Sequence, residues 1–278
     1  MNKRIIVGID FSEDSLNAFK HAITIAEKGH MGITMVWVDH IDYSKEIFNI
    51  DPAHRLNAVT NKFNDLLTQY KKRCPELDFI TRKGKVYKEI CKTANELDAF
   101  LVVVGTHGLS GFEEFWSGSN ANRIVAACDV PVITIRGGVK VNENLEKIVM
   151  PLDSTKTTRE KIPITAQLAK YFDSEIHILG LLTSKYNDIR YRIKDYVLQA
   201  EDFLREENIR FKSVIMESSH ITNDTINYAK EINANLISIM TEQETSTANL
   251  WMGPYAAQMV NHSPIPVLSV KPKDFLII

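Results

Sequence analysis

The sequence predicts an α/β protein built as two tandem open parallel five-stranded sheets flanked by helices. Three observations predict it: the chain repeats itself, each copy alternates apolar runs with helical periodicity, and the main runs are apolar throughout instead of at every second residue. The repeat comes first, because a missed period distorts every local reading. Aligning Asp10 with Asp153 brings Ala26 onto Ala169, Ile33 onto Ile176, Met35 onto Ile178 and Val38 onto Leu181 without a gap. Further along, aligning Ala94 with Ala229 pairs Leu101/Leu236, Trp116/Trp251, Gly118/Gly253, Ala121/Ala256, Val125/Val260 and Pro131/Pro266. Each copy takes roughly half of the chain, far beyond the ~20–45 residues of a solenoid unit, so each is expected to be a whole domain with its own core. The glycines and polar residues of Gly137–Asn144 read as the linker between domains at 1–138 and 145–278.

Within the first copy, Arg4–Asp10 and Phe100–Gly105 are Ile/Val-rich runs suited to strands covered on both faces. Leu16, Phe19, Ile23 and Ala26 mark a helix, with Ser12 as N-cap and Glu13 and Asp14 in the first turn, where the helix dipole favours acids. Ile33–Asp39 is the next strand. Leu56, Val59, Phe63, Leu66 and Tyr70 mark a second helix, and Leu77–Thr81 is a weaker strand. Tyr87–Leu97 is a third helix with Ile90, Ala94 and Leu97 inward; a helix from Gly118 to Cys128 and a strand over Val130–Arg136 complete the copy. Strands alternating with helices imply right-handed crossovers and a ligand site at the strand carboxyl ends, near the switch point.

Composition excludes several functions. With 33 Lys+Arg against 35 Asp+Glu, the net charge of −2 gives no electrostatic reason to expect nucleic acid as a partner. The apolar run Ile5–Ile9 stops at Asp10, short of a signal peptide, and Ala99–Gly105 is far below the ~20 residues of a membrane span. A soluble, cytoplasmic protein with no membrane partner is the expectation. Cys74, Cys91 and Cys128 are odd in number and widely spaced, which fits buried, reduced thiols better than a disulfide framework.

The most informative segment runs from Gly105 through Thr106, His107, Gly108, Leu109, Ser110 and Gly111 to Gly118, Ser119 and Asn120. It leads from a strand end through a glycine-bearing loop into a helix. Such a junction offers free amides and the positive end of a helix dipole to an anion, phosphate above all, although glycines in a turn also serve turn chemistry alone. No Gly-x-x-x-x-Gly-Lys-Ser/Thr and no Gly-x-Gly-x-x-Gly follows a strand, so the chain is neither a Walker ATPase nor a dinucleotide dehydrogenase.

The sequence resembles the tandem-domain form of the universal stress protein family. ATP-binding members carry Gly-x-x-Gly, nine residues, then Gly-Ser/Thr, and Gly105, Gly108, Leu109 to Ser117, Gly118 and Ser119 follow that pattern. The segments "VGIDFSEDS", "DAFLVVVGTHG" and "ANRIVAACDVPVITIR" carry it further, and both copies take part. The resemblance implies an adenine nucleotide alpha hydrolase-like, Rossmann-like fold with ATP across the strand ends. Asp10 and Val38 would hold base and sugar, Gly105 and Gly108 ribose and phosphate, and Gly118, Ser119 and Asn120 the terminal phosphates. His107 stands where the family often has arginine, and Asn120 where it often has a small apolar residue. His107 is either a phosphate contact or an exposed loop histidine. Asp10 or Asp39 would help hold Mg²⁺.

In the second copy Gly105 becomes Met240, Gly108 becomes Gln243, Gly111 becomes Ser246 and Ser119 becomes Pro254, leaving Gly253. Side chains enter the space a backbone must leave open and Pro254 removes an N–H, so this copy is expected to have lost the nucleotide. No catalytic triad or metal motif presents itself. The reading is a stress-response regulatory protein whose first domain binds ATP, with the second as pseudo-dimer partner through pairing of the last strands and an unidentified regulatory protein as its listener. A slow adenine-nucleotide hydrolase or autophosphorylating enzyme in the same pocket is the alternative. A third reading is a structural pseudo-dimer with an apolar surface around Phe112, Phe115, Trp116, Leu250 and Trp251. A homodimer of tandem chains is compatible with all three, and the apolar tail Phe275–Ile278 would dock on the protein or on a neighbour.

Overall fold

The first apolar run forms β1 (Arg4–Gly8) and leads into α1 (Glu13–Gly29), β2 (Gly32–Asp39), α2 (Pro52–Tyr70), β3 (Leu77–Lys83), α3 (Val86–Glu96), β4 (Leu101–Gly105), α4 (Asn120–Ala127) and β5 (Val132–Ile135). The second copy gives β6 (Lys147–Leu152), a 3₁₀ turn (Lys156–Arg159), α5 (Ile162–Phe172), β7 (Glu175–Leu182), α6 (Asn187–Glu206), β8 (Phe211–Glu217), α7 (Ile221–Glu231), β9 (Leu236–Met240), α8 (Pro254–His262) and β10 (Val267–Val270). The structure is a computed structural model and describes residues 3–39, 52–106, 120–141, 144–241 and 253–272. Contacts divide the chain into units at Met1–Val141 and Asn142–Ile278.

In the first unit the strands lie in the order β3-β2-β1-β4-β5, and in the second β8-β7-β6-β9-β10; every pair within a unit is parallel. The chain therefore adds two strands to one side of its first strand, then crosses and adds two on the other. The direction reverses between β1 and β4, and again between β6 and β9. Central strands are apolar on both faces because helices cover both: Ile5, Ile6, Val7, Leu101, Val102 and Val103 are wholly buried, as are Ile148, Val149, Ile178 and Leu179. At ~25 cal/mol per Å² of apolar surface removed from water, this burial stabilises each unit.

Helix α1 begins as the sequence indicates. Ser12 is extended (φ −66°, ψ 159°), its Oγ accepts from the Ser15 amide at 3.1 Å, and Glu13 and Asp14 occupy the first turn. Helices α1 and α5 both end on a left-handed non-glycine residue, His30 (φ 51°) and Asp173 (φ 52°).

Three expectations need correction. Leu56 on α2 is 51% exposed, so the inward stripe of that helix rests on Val59 and Phe63. Leu97 is the C-cap of α3, past the last inward turn, and is 37% exposed. Of the three cysteines, all buried, only Cys74 is free: Cys91 and Cys128 are joined in a disulfide. They are 37 residues apart in sequence, but α3 and α4 pack side by side and bring their Cα atoms to 5.0 Å.

Candidate functional site

Open parallel sheets bind ligands outside the strand carboxyl ends where the strand order reverses. In the first unit that place lies between β1 and β4, and Asp10 and Gly105 stand on its two sides. Val38 is next to last in β2, the neighbour of β1. Helix α4 connects β4 to the parallel β5 and so runs against the strands, which puts its first residue, Asn120, at the same edge. Four of the residues singled out in the sequence thus share one edge of one sheet. His107, Gly108, Gly118 and Ser119 lie outside the described residues, as do Gln243, Ser246 and the aromatic residues of both motif loops.

Asp10 is fixed by its own turn. Its Oδ1 accepts from the Ser12 amide at 3.0 Å and from Ser12 Oγ at 2.5 Å, while its amide donates to Ser15 Oγ at 3.3 Å. The chain leaves the sheet through Phe11, whose φ of 63° is costly for a bulky residue. This exit opens the edge of β2. The Ile9 amide donates to the Val36 carbonyl at 2.9 Å, and peptide groups alternate sides along a strand, so the Val38 N–H and C=O point to the edge that β1 has left. Helix α4 carries no acid in its first turn.

Gly105 has a packing role beyond any ligand. A Cβ there would lie 2.9 Å from the Asp14 carbonyl carbon and 3.0 Å from its oxygen; one at Gly137 would lie 2.5 Å from Asp14 Oδ1. Both glycines seat the first turn of α1 against the strand ends. Gly105→Ala is therefore expected to destabilise the chain by about 1–3 kcal/mol, because backbone must move to admit the methyl group. A lower urea midpoint at unchanged slope is the readout.

The second unit tests that account. The same alignment puts Met240 and Pro272 at the positions of Gly105 and Gly137. There the first turn no longer fits as α-helix: Lys156–Arg159 form a 3₁₀ turn and α5 starts only at Ile162, although it ends at the residue aligned with the end of α1. The aspartate turn itself persists, with Asp153 Oδ1 accepting from the Thr155 amide at 2.7 Å and from Thr155 Oγ1 at 2.6 Å. The switch-point crevice has become a cavity of about 40 Å³ lined by Asp153, Thr158, Lys161, Leu181, Met240 and Tyr255. That volume takes a few waters at most, against the ~300–1,000 Å³ of small-molecule pockets.

Lys161 is the residue that sequence reading missed. It is 2% exposed, and its Nζ donates to the Thr158 carbonyl at 2.6 Å and to Thr158 Oγ1 at 3.2 Å. Burial lowers its pKa to about 8, partly opposed by the Asp153 carboxylate. The available signal was its alignment with Ala18, a core position of α1.

Asp39 is half-buried with its Oδ1 3.2 Å from the guanidinium of buried Arg55, a pairing that makes it a poorer cation ligand than an open carboxylate. Among the described residues no group of three or more His, Cys, Asp and Glu side chains is placed to hold a metal. Both hydrogen bonds from Ser12 go to Asp10 Oδ1, which leaves Oδ2 outside the turn. The buried His177 bonds Tyr228 and Glu175, both at 2.8 Å, but His177 and Glu175 lie at the start of β7, away from the strand carboxyl ends. No helix among the described residues is long and apolar enough to cross a membrane.

Two copies of one open parallel unit, each with a reversal of strand order beside its first strand, define a tandem Rossmann-like α/β protein. The chain belongs to the universal stress protein family, whose pattern it matches over residues 1–136 and again over 144–271. A putative universal stress protein of Staphylococcus aureus (strain USA300) is 30% identical over 169 residues, covering 57% of this chain and 96% of that one. In fold, the chain is similar to a universal stress protein from Archaeoglobus fulgidus DSM 4304, with a TM-score of 0.74 at 19% identity over 98% of this chain and 97% of that one. A putative universal stress protein from Pseudomonas aeruginosa UCBPP-PA14 has a TM-score of 0.70 at 15% identity, over 98% and 94% of the two chains.

Proposed function

We propose that this chain is a cytoplasmic stress-response regulatory protein that binds one ATP in the switch-point crevice of its first unit. The second unit serves as its built-in partner, and a regulatory protein reads the occupied state. The contrast between the two crevices carries this reading. In the first, the Val38 main chain faces the edge that β1 has left, and Gly105 lets the first turn of α1 seat as helix beside it. In the second, Met240 and Lys161 line a cavity of about 40 Å³.

The residues fit the nucleotide as follows. The main chain at Val38 and the carboxylate of Asp10 take the adenine and ribose, with Gly105 and Gly108 lying against ribose and α-phosphate. Amides and hydroxyl at Gly118, Ser119 and Asn120, at the head of α4, take the terminal phosphates, with His107 as a further phosphate contact. Asp10 Oδ2 is the carboxylate oxygen for a phosphate-bound Mg²⁺. Bound metal would neutralise phosphate charge; the protein's own contribution is to orient and hold.

Calorimetric titration with ATP and Mg²⁺ tests the reading. One site per chain is expected, weakened by Asp10→Asn and Ser119→Ala, with γ-phosphate release far below ~1 s⁻¹. Turnover at that rate or faster, lost in the same two variants, would make the chain an adenine-nucleotide hydrolase instead.

A further inference from the structure

We propose that Cys91 and Cys128 are a redox modification site, a dithiol–disulfide pair that clamps the carboxyl end of α4 to α3 and thereby sets how firmly α4 is held. Cys91 lies in the middle of α3, and Cys128 directly follows α4, its amide still donating to the Ile124 carbonyl at 2.9 Å. The disulfide between them is the covalent tie between the two helices among the described residues. Helix α4 has only eight residues, about 12 Å of length, so a constraint at its last turn reaches its first. Its buried positions are Ala121, Asn122, Ile124, Val125 and Ala126, with no aromatic side chain among them.

The second unit supplies an internal control. Helices α3 and α7 align residue for residue, and the positions of Cys91 and Cys128 are held there by Ile226 and Ser263. Both are buried, and Ser263 Oγ donates to the Ile265 carbonyl at 2.7 Å. The same helix interface thus closes without a covalent bond. The cysteines are an addition in the unit that carries the full glycine motif, not a requirement of the fold. Cys74 stands apart, its thiol donating to the Met31 carbonyl at 3.7 Å.

The chemistry balances with a hydroperoxide as oxidant. The thiolate of Cys91, the more exposed of the pair at 8% against 2%, attacks the O–O bond of hydrogen peroxide, giving a sulfenic acid and releasing hydroxide, which a proton converts to water. The Cys128 thiolate then attacks that sulfur, the S–S bond forms as the S–O bond breaks, and the sulfenic oxygen leaves as hydroxide, which the proton given up by the Cys128 thiol converts to a second water. A small dithiol reverses the process through a mixed disulfide at Cys91 and is itself oxidised. Because both sulfurs are buried, either reagent needs α4 to loosen, so holding α4 and protecting the sulfurs are linked. On the reading that ATP phosphates sit at the head of α4, the clamped form binds ATP more tightly, since its helix is already ordered, and ATP in turn slows reduction.

Intact-mass and peptide mass spectrometry of the full chain, after peroxide or dithiothreitol, reads the bond. Hydrogen exchange of the α4 amides reads the clamp, and ATP titration of both forms reads the consequence. The expected result is a Cys91–Cys128 crosslink, slower α4 exchange when oxidised, and ATP bound ~5–30-fold tighter. The Cys91→Ile/Cys128→Ser double variant, which installs the residues the second unit holds at these two buried positions, should match the reduced form under both conditions. Thiols that stay free after peroxide, or α4 exchange equal in the two forms, would overturn the clamp. Slower α4 exchange in a chain that binds no ATP in either form would support the clamp and overturn the nucleotide reading instead.

Discussion

Gly118→Val is expected to weaken ATP binding by at least ~100-fold, a loss of about 2.7 kcal/mol, while Gly253→Val leaves it unchanged. Gly118 stands two residues before α4 in the sequence, where on the proposed reading phosphate oxygens would come within hydrogen-bond distance of main-chain amides. A branched side chain there occupies the space of the ligand. Gly253 is the counterpart at the N-cap of α8, extended at φ −59° and ψ 156°, a conformation valine adopts without strain. It is followed by Pro254, which has no N–H to offer. The pair of variants therefore separates the site from the scaffold. Equal weakening by both, or by neither, would mean the phosphates bind elsewhere.

Lys161→Met is expected to stabilise the chain at pH 7, by roughly 1–3 kcal/mol. The folded chain holds the Lys161 proton only up to pH about 8, against 10.5 for the unfolded chain. At about 1.36 kcal/mol per pKa unit, burying the charged ammonium costs roughly 3 kcal/mol. Loss of its two bonds to Thr158 offsets part of that gain in the variant. Below pH 8 both states are protonated and the penalty is constant. Between about 8 and 10.5 the unfolded chain binds more protons, so this group makes stability rise with pH. The difference in unfolding free energy between wild type and Lys161→Met should accordingly shrink across that window. A variant that is less stable at pH 7, with a difference independent of pH, would show that Lys161 is held by better partners than Thr158 and Asp153.

Much of the fold was legible because apolar runs and repeats are direct images of burial. The observed elements coincide under the alignment to the residue, β2 with β7, α3 with α7 and β4 with β9, whereas periodicity places the first of each pair (33–39, 87–97, 100–105) one residue off at one end or both; the Ser12 cap follows from its side-chain chemistry. Contacts between distant segments were not legible. Nothing in the spacing of Cys91 and Cys128 says that two helices will bring them together, and nothing in a glycine at a strand end says that its missing Cβ faces the backbone of Asp14. Leu56 and Leu97 misled because periodicity gives a face but not where that face ends. Lys161 was hidden for the opposite reason, since a charged residue reads as exposed until the structure shows it enclosed. Of the candidate site, the glycine-bearing junction after Gly105 was legible from the residues themselves, whereas Asp10 and Val38 came only from the resemblance to the family; the structure brings these three and Asn120 to one edge of the sheet.

Native mass spectrometry of the full chain with ATP and Mg²⁺ tests the central claim most directly, because it counts nucleotides on each molecule. One ATP per chain, absent from Gly118→Val and retained by Gly253→Val, is the result expected. Two per chain, or none at millimolar nucleotide, would contradict it.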